Sequence, residues 1–231
     1  MVVFFTSDRI EFVSLFSYTP KPVSLDTDIL QLMRNTKSWT VWLKQDRMIT
    51  RKADGESLPM SRFVAESLYN HLSDKPFLKI FDRDKVLIPI PRSNPIPTDG
   101  LWVPKRIADE MVQKGLGGYV VPCLIRSKPV NKSSWSIPSQ RPLPSEHYDS
   151  LKVEQTVTEL NEVILIDDVI TRGSTLIAAA NKLIDAFPKI KIHSFAAVRT
   201  ISNSVDFHKW FDPVQGVITF RSLTGDTIRR P

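Results

Sequence analysis

Two adjacent carboxylates, Asp167 and Asp168, follow the apolar run Val163-Ile164-Leu165-Ile166, and Thr171, Arg172, Gly173, Ser174 and Thr175 come directly behind them. Carboxylates set side by side repel each other, so such a pair is costly unless hydroxyls or a cation use it. Hydroxyl side chains and a glycine leading into a helix offer successive backbone N–H groups at the positive end of the helix dipole, which is a cradle for an anion. Carboxylates for sugar hydroxyls and a phosphate cradle a few residues away together suit a ribose 5-phosphate. The same residues also read as a helix-capping turn, with Ser174 as the cap and no ligand. Competing phosphate motifs are missing: there is no G-x-x-x-x-G-K-[ST] run, and Gly115-Leu116-Gly117-Gly118 does not complete G-x-G-x-x-G.

The elements around this string alternate. Residues 162–166 read as a strand, 167–174 as a loop, and 175–187 as a helix with Leu176, Ala179, Ala180, Leu183 and Phe187 along one face. Pro188 stops that helix, and 190–198 read as the next strand. Strand, helix and strand in that order make the crossover unit of a parallel sheet, whose ligands sit at the carboxyl ends of the strands. Upstream, 86–90 read as a short buried strand, 104–114 as a helix bounded by Pro104 and Gly115, and 119–125 as a strand. Nearer the start, 38–43 alternate like a half-buried strand, while 25–33 and 62–72 read as helices. The expected fold class is α/β, with a mostly parallel central sheet flanked by helices. Residues 1–80 would form a cap or flanking layer, 81–211 the core, and 212–231 a C-terminal strand or tail, a second contributor to the cap.

The string 164–175 resembles the 5-phosphoribosyl pyrophosphate (PRPP)-binding signature of type I phosphoribosyltransferases, in which two acidic residues follow an apolar strand and a Thr-Gly-x-Thr-like turn ends the loop. The resemblance implies that Asp167 and Asp168 hold the ribose 2′- and 3′-hydroxyls and that residues 171–175 wrap the 5′-phosphate. Arg172 stands where many members have threonine. Its backbone contacts survive that change, and its guanidinium either adds a phosphate bond or swings away. Ile88-Pro89-Ile90-Pro91-Arg92-Ser93 looks like the first core strand and the turn that binds pyrophosphate in the family, which makes Arg92, Ser93 and Asn94 candidates. By themselves those residues are a turn bounded by prolines. The similarity covers 84–200 and reaches towards the ComF-like branch and its uncharacterised relatives, without the cysteine-rich zinc segment of many ComF proteins. What it implies is a transferase that moves ribose 5-phosphate from PRPP to a nitrogen acceptor, with Mg²⁺ bound through PRPP and no direct protein ligand. The alternative is a non-catalytic PRPP or nucleotide sensor, or a protein associated with nucleic acid.

Residues 126–149 lack periodicity and are dense in Pro, Ser, Lys and Arg. Related enzymes close a flexible basic loop over the pyrophosphate, so Arg126, Lys128 and Arg141 are candidates here; a solvated connector is the other reading. Arg199, at the same sheet edge as the main motif, either touches substrate or is a buried arginine that pairs with a loop carboxylate. Trp102 opens the helix beyond the pyrophosphate turn, and His147 is either a general acid or base or an incidental loop histidine. A net charge of +6 suits an anionic partner, but the basic residues are spread out and mark no dedicated nucleic-acid arm. One cysteine, Cys123, excludes an intrachain disulfide, and the four histidines show no metal-ligand spacing. No apolar stretch approaches the ~20 residues of a membrane helix. A cytoplasmic protein with no membrane partner is expected; the oligomeric state is left open.

Overall fold

The computed structural model describes residues 5–73, 80–95, 100–130, 142–154 and 159–231. Its main sheet contains β1 (Arg9–Tyr18), β4 (Val86–Pro89), β5 (Tyr119–Val120), β8 (Glu162–Ile170), β9 (Lys191–Thr200), β10 (Phe211–Arg221) and β11 (Asp226–Arg230). They lie in the order β11-β10-β1-β9-β8-β4-β5. From β1 to β5 every pairing is parallel, whereas β10 and β11 extend the sheet as an antiparallel hairpin. This is the α/β architecture with a mostly parallel sheet that the sequence implied.

Strand β8 sits inside the sheet because its core, Val163 to Ile166, is apolar at every position and fully buried. Alternation sends Ile164 and Ile166 to one face and Val163 and Leu165 to the other. On the first face pack α1 (Thr27–Lys44), α2 (Met60–Asn70) and α3 (Val103–Gln113), with the small hairpin β2 (Met48–Thr50) and β3 (Ser57–Pro59) beside α2. On the second pack α4 (Pro144–Ser150) and α5 (Ser174–Ala186), next to a two-stranded sheet of β6 (Leu124–Arg126) and β7 (Leu151–Val153). Ala178, Ala179 and Ala180 favour the helix and let α5 lie close to the sheet. Leu176 and Leu183 anchor it, each contributing about 1.5–3 kcal/mol on burial.

Several elements differ from the sequence reading, each for a local reason. Residues 38–43, expected as a strand, are the end of α1. Asp26 caps that helix by accepting from the Asp28 and Ile29 amides, and Met33, Thr36, Thr40 and Leu43 recur at helical spacing on its buried side. The two threonine hydroxyls are satisfied inside the helix, by the carbonyls of Met33 and Thr36. The expected strand 119–125 is divided at Pro122, which has no N–H to give a ladder, so β5 joins the main sheet and β6 the small one. The loop expected from Asp167 does not begin there: β8 stays paired with β9 through Ile170. Part of the segment read as a cap, β1, instead runs between β10 and β9 inside the sheet.

The crossovers locate the cleft. From β4 the chain passes through α3 on one face to β5; from β8 it passes through α5 on the opposite face to β9. The direction of winding therefore reverses between the neighbours β4 and β8. At such a reversal the loops leaving the two strands part and open a crevice at their carboxyl ends.

Candidate functional site

A cleft of about 280 Å³ occupies that crevice. From β8 and the loop behind it come Asp167, Asp168 and residues 171–175; from the turn after β4 come Arg92 and Ser93. Arg126 at the end of β6, His147 in α4 and Lys44 at the end of α1 complete the polar lining, and Leu101, Val103 and Pro104 form an apolar wall. Four cationic side chains, Lys44, Arg92, Arg126 and Arg172, thus face two carboxylates. The balance favours an anionic ligand.

The loop ends in Gly173 at φ 86°, a left-handed conformation that glycine adopts without strain. Gly173 occupies the N-cap position of α5, so Ser174 begins the helix and is not its cap, and no side chain caps the helix. The amides of a first helical turn have no intrahelical acceptor, and here they are left for solvent or a ligand at the dipole's positive end. A Cβ on Gly173 would come within 2.6 Å of Ile218, so this residue is also a point of close packing.

Asp167 and Asp168 are both half-buried. Each carboxylate accepts from a following amide, Asp167 from Asp168 N at 2.9 Å and Asp168 from Val169 N at 2.8 Å. Burial holds the Asp167 carboxyl well above the usual carboxylate range, and the Asp168 charge adds to the effect; Lys44 opposes it. The acid pair therefore sits in a site that a cation or a set of ligand hydroxyls would relieve.

Arg126 is buried and knits three segments together. Its Nε donates to the Arg92 carbonyl at 3.0 Å, and its Nη1 to Ser150 Oγ at 2.5 Å and to the His147 carbonyl at 3.4 Å. Burial lowers its pKa to about 10 and Asp167 opposes that, so it remains a cation at neutral pH. His147 is driven down to about 3, by burial first and by Arg126 second, and is neutral. A neutral ring lying 3.5 Å from Thr175 Oγ1 suits hydrogen bonding better than proton transfer near pH 7.

The turn after β4 is held from behind. Trp102 Nε1 donates to the Ile90 carbonyl at 2.7 Å, and Arg92 Nη1 donates to the Leu101 carbonyl at 3.0 Å. Asn94 and Lys128, both candidates from sequence, are exposed and do not line the cleft. Arg141 lies outside the described residues. Arg199 forms its ion pair with Asp212, a residue of β10 and not of a loop. Sequence reasoning missed Lys44, which a helix misread as a strand delivers to the cleft, and the apolar wall of Leu101, Val103 and Pro104. It also missed Thr227 and Arg229 of β11, which touch the loop from behind. No local signal marks those contacts, because they cross the whole sheet.

Among the described residues no group of three or more His, Cys, Asp or Glu gathers into a metal site, and no helix is long and apolar enough to cross a membrane. Neither a protein-family model nor a curated protein matches the chain.

Proposed function

We propose that the cleft binds PRPP and that the protein transfers ribose 5-phosphate from it to a nitrogen acceptor. What carries this reading is the convergence, at one reversal of sheet winding, of the Asp167–Asp168 pair, the uncapped start of α5 and the cations Arg92 and Arg126. Each feature matches one part of the ligand. Residues 171–175 would hold the 5′-phosphate with backbone amides and hydroxyls, Asp167 and Asp168 would accept from the ribose hydroxyls, and Arg92, Ser93 and Arg126 would face the pyrophosphate. In the reaction the C1–oxygen bond to pyrophosphate breaks, a C1–nitrogen bond forms, and the acceptor gives up a proton. The chain's own part is to orient the sugar and to stabilise the charge of the departing pyrophosphate.

Mg²⁺ fits this donor set. Two carboxylates are hard oxygen ligands, and the burial and repulsion that raise Asp167 are what a nearby divalent cation would offset. The protein offers too few ligands for a complete cage among the described residues, so PRPP oxygens would supply most of the coordination. When bound, Mg²⁺ neutralises pyrophosphate charge.

Calorimetric titration of PRPP with Mg²⁺ into the wild type and the Asp168→Asn variant tests the reading. Wild-type binding in the micromolar range and a loss of about tenfold or more in the variant are expected. A wild type that binds no PRPP overturns it. Pyrophosphate release across a panel of base and amine acceptors then separates a transferase from a sensor, since a sensor binds PRPP without turnover.

A further inference from the structure

The C-terminal hairpin lies against the candidate phosphate loop on the side away from the cleft. Arg229 of β11 donates from Nε to the Thr171 carbonyl at 2.8 Å and from Nη2 to the Thr200 carbonyl at 2.5 Å. On the same strand, Thr227 Oγ1 lies 3.0 Å from Ser174 Oγ, and Ile218 of β10 closes the space over Gly173. Thr171 lines the cleft and Arg229 does not.

A buried guanidinium ordinarily faces a carboxylate. Arg229, half-buried as a residue, lies over the Phe12 ring at 5.6 Å and makes no ion pair among the described residues, and its Nη1 is buried without a hydrogen-bond partner. The neighbouring Arg199 forms its own ion pair with Asp212. Burial, reinforced by Arg199, draws the Arg229 pKa down to about 10, so the group still carries its charge at neutral pH. Arg229 thus stands as a cation without an ion-pair partner among the described residues, behind a loop whose helix end is uncapped. An anion bound by the loop would compensate the excess charge. The Thr171 carbonyl matters for a second reason: turned into the cradle it would repel a phosphate, and Arg229 ties it to the hairpin side.

We propose that Arg229 is a positioning residue for the phosphate of the ligand, acting through the Thr171 backbone and as a fixed charge behind the loop. The inference rests on the ribose 5-phosphate reading of the site and deepens it. The C-terminal hairpin becomes part of the binding machinery for one end of the ligand only, the sugar phosphate, and leaves the pyrophosphate end to Arg92 and Arg126.

Separate calorimetric titrations with ribose 5-phosphate and with pyrophosphate test this. The Arg229→Met variant should bind ribose 5-phosphate about tenfold more weakly and pyrophosphate as the wild type does, with Arg229→Lys recovering part of the loss. Equal affinity for ribose 5-phosphate in the methionine variant, or parallel losses for both ligands, would overturn the proposal, since a purely structural role would weaken both. Should the methionine variant not fold, the wild type decides. Its Arg229 Nε–H NMR resonance should shift with ribose 5-phosphate and stay still with pyrophosphate, and a resonance indifferent to both sinks the idea. A wild type that binds no ribose 5-phosphate overturns the parent reading too, whereas an unaffected variant of a binding wild type overturns this inference alone.

Discussion

Arg126 Nε donates to the backbone carbonyl of Arg92 at 3.0 Å, joining segments 34 residues apart. The bond ties the small β6–β7 sheet to the turn after β4, and the same guanidinium reaches Ser150 and the His147 carbonyl in α4. Arg126 therefore shapes the cleft from the inside while lending it charge. Replacing it by methionine leaves buried acceptors without a donor, at a cost of about 1–3 kcal/mol. Urea denaturation of Arg126→Met should show that loss, and pyrophosphate affinity should fall about tenfold with it. Arg126→Lys keeps the charge but not the planar fork, so it should recover binding more than stability. Full pyrophosphate affinity in the methionine variant would remove Arg126 from the ligand's path.

Asp167 is held at a stability cost. Its carboxyl is raised by burial first and by Asp168 second, so over the range above its ordinary value of 3.8 the folded state holds the proton more tightly than the unfolded one. This group's contribution then becomes less favourable as pH rises from 3.8 towards the raised folded value, and stays unfavourable above it. Asp167→Asn should accordingly melt higher than wild type at pH 8, by roughly 2–4 °C for each kcal/mol relieved in a chain of this length. The gap should shrink as the pH is lowered. Loss of PRPP binding in the same variant would mark the carboxylate as kept for the ligand. A variant that melts lower at pH 8 would show that Asp167 is a structural acceptor.

The central strands and helices were legible in the sequence because their signals are local: the apolar run 163–166, the spacing of Leu176, Ala179, Ala180 and Leu183, and proline and glycine around α3. The loop at 171–175 was legible for the same reason. Other features depended on distant partners. The alternation of Ser38 to Leu43 looks like a strand until the Asp26 cap and the buried Thr36 and Thr40 are considered together. The place of β1 is fixed by its register with β9 and β10, nearly two hundred residues away in sequence. Lys44 reaches the cleft, and Arg229 the back of its loop, only because α1 and β11 pack where they do, and a basic residue at the end of a helix or on an edge strand announces nothing by itself.

Gly173 answers two demands at once, a φ of 86° and contact with Ile218. Alanine there would meet about 1–2 kcal/mol of backbone strain and about 1–3 kcal/mol of overpacking. Thermal melts should show the combined loss, and ribose 5-phosphate affinity should fall as the loop is displaced. The two causes separate in a second variant. Adding Ile218→Ala to Gly173→Ala removes the clash but not the strain, so part of the binding should return. No recovery would make the left-handed backbone the whole of the requirement.

Glu162 lies at the opposite end of β8 from the cleft and provides the control. Its carboxylate meets Lys85 Nζ at 2.6 Å, His193 Nε2 at 2.8 Å and Lys191 Nζ at 3.1 Å. The Lys85 bond, then His193 and Lys191, bring it down from 4.5 to about 2. A lowered carboxylate gives stability that is present above its unfolded value and is lost as pH falls towards the folded one. Between pH 4.5 and 2 the wild type should therefore lose stability more steeply than Glu162→Gln. Near neutrality, after solvent screening of a partly exposed group, the variant should be less stable by about 1–2 kcal/mol. With five residue steps of strand from Glu162 to Asp167, the first cleft residue of β8, roughly 16 Å at the usual rise, PRPP affinity at pH 7.5 should not change. A substitution here that weakened PRPP binding as much as Asp168→Asn would mean that ligand affinity follows global stability, and it would strip the cleft variants of their meaning.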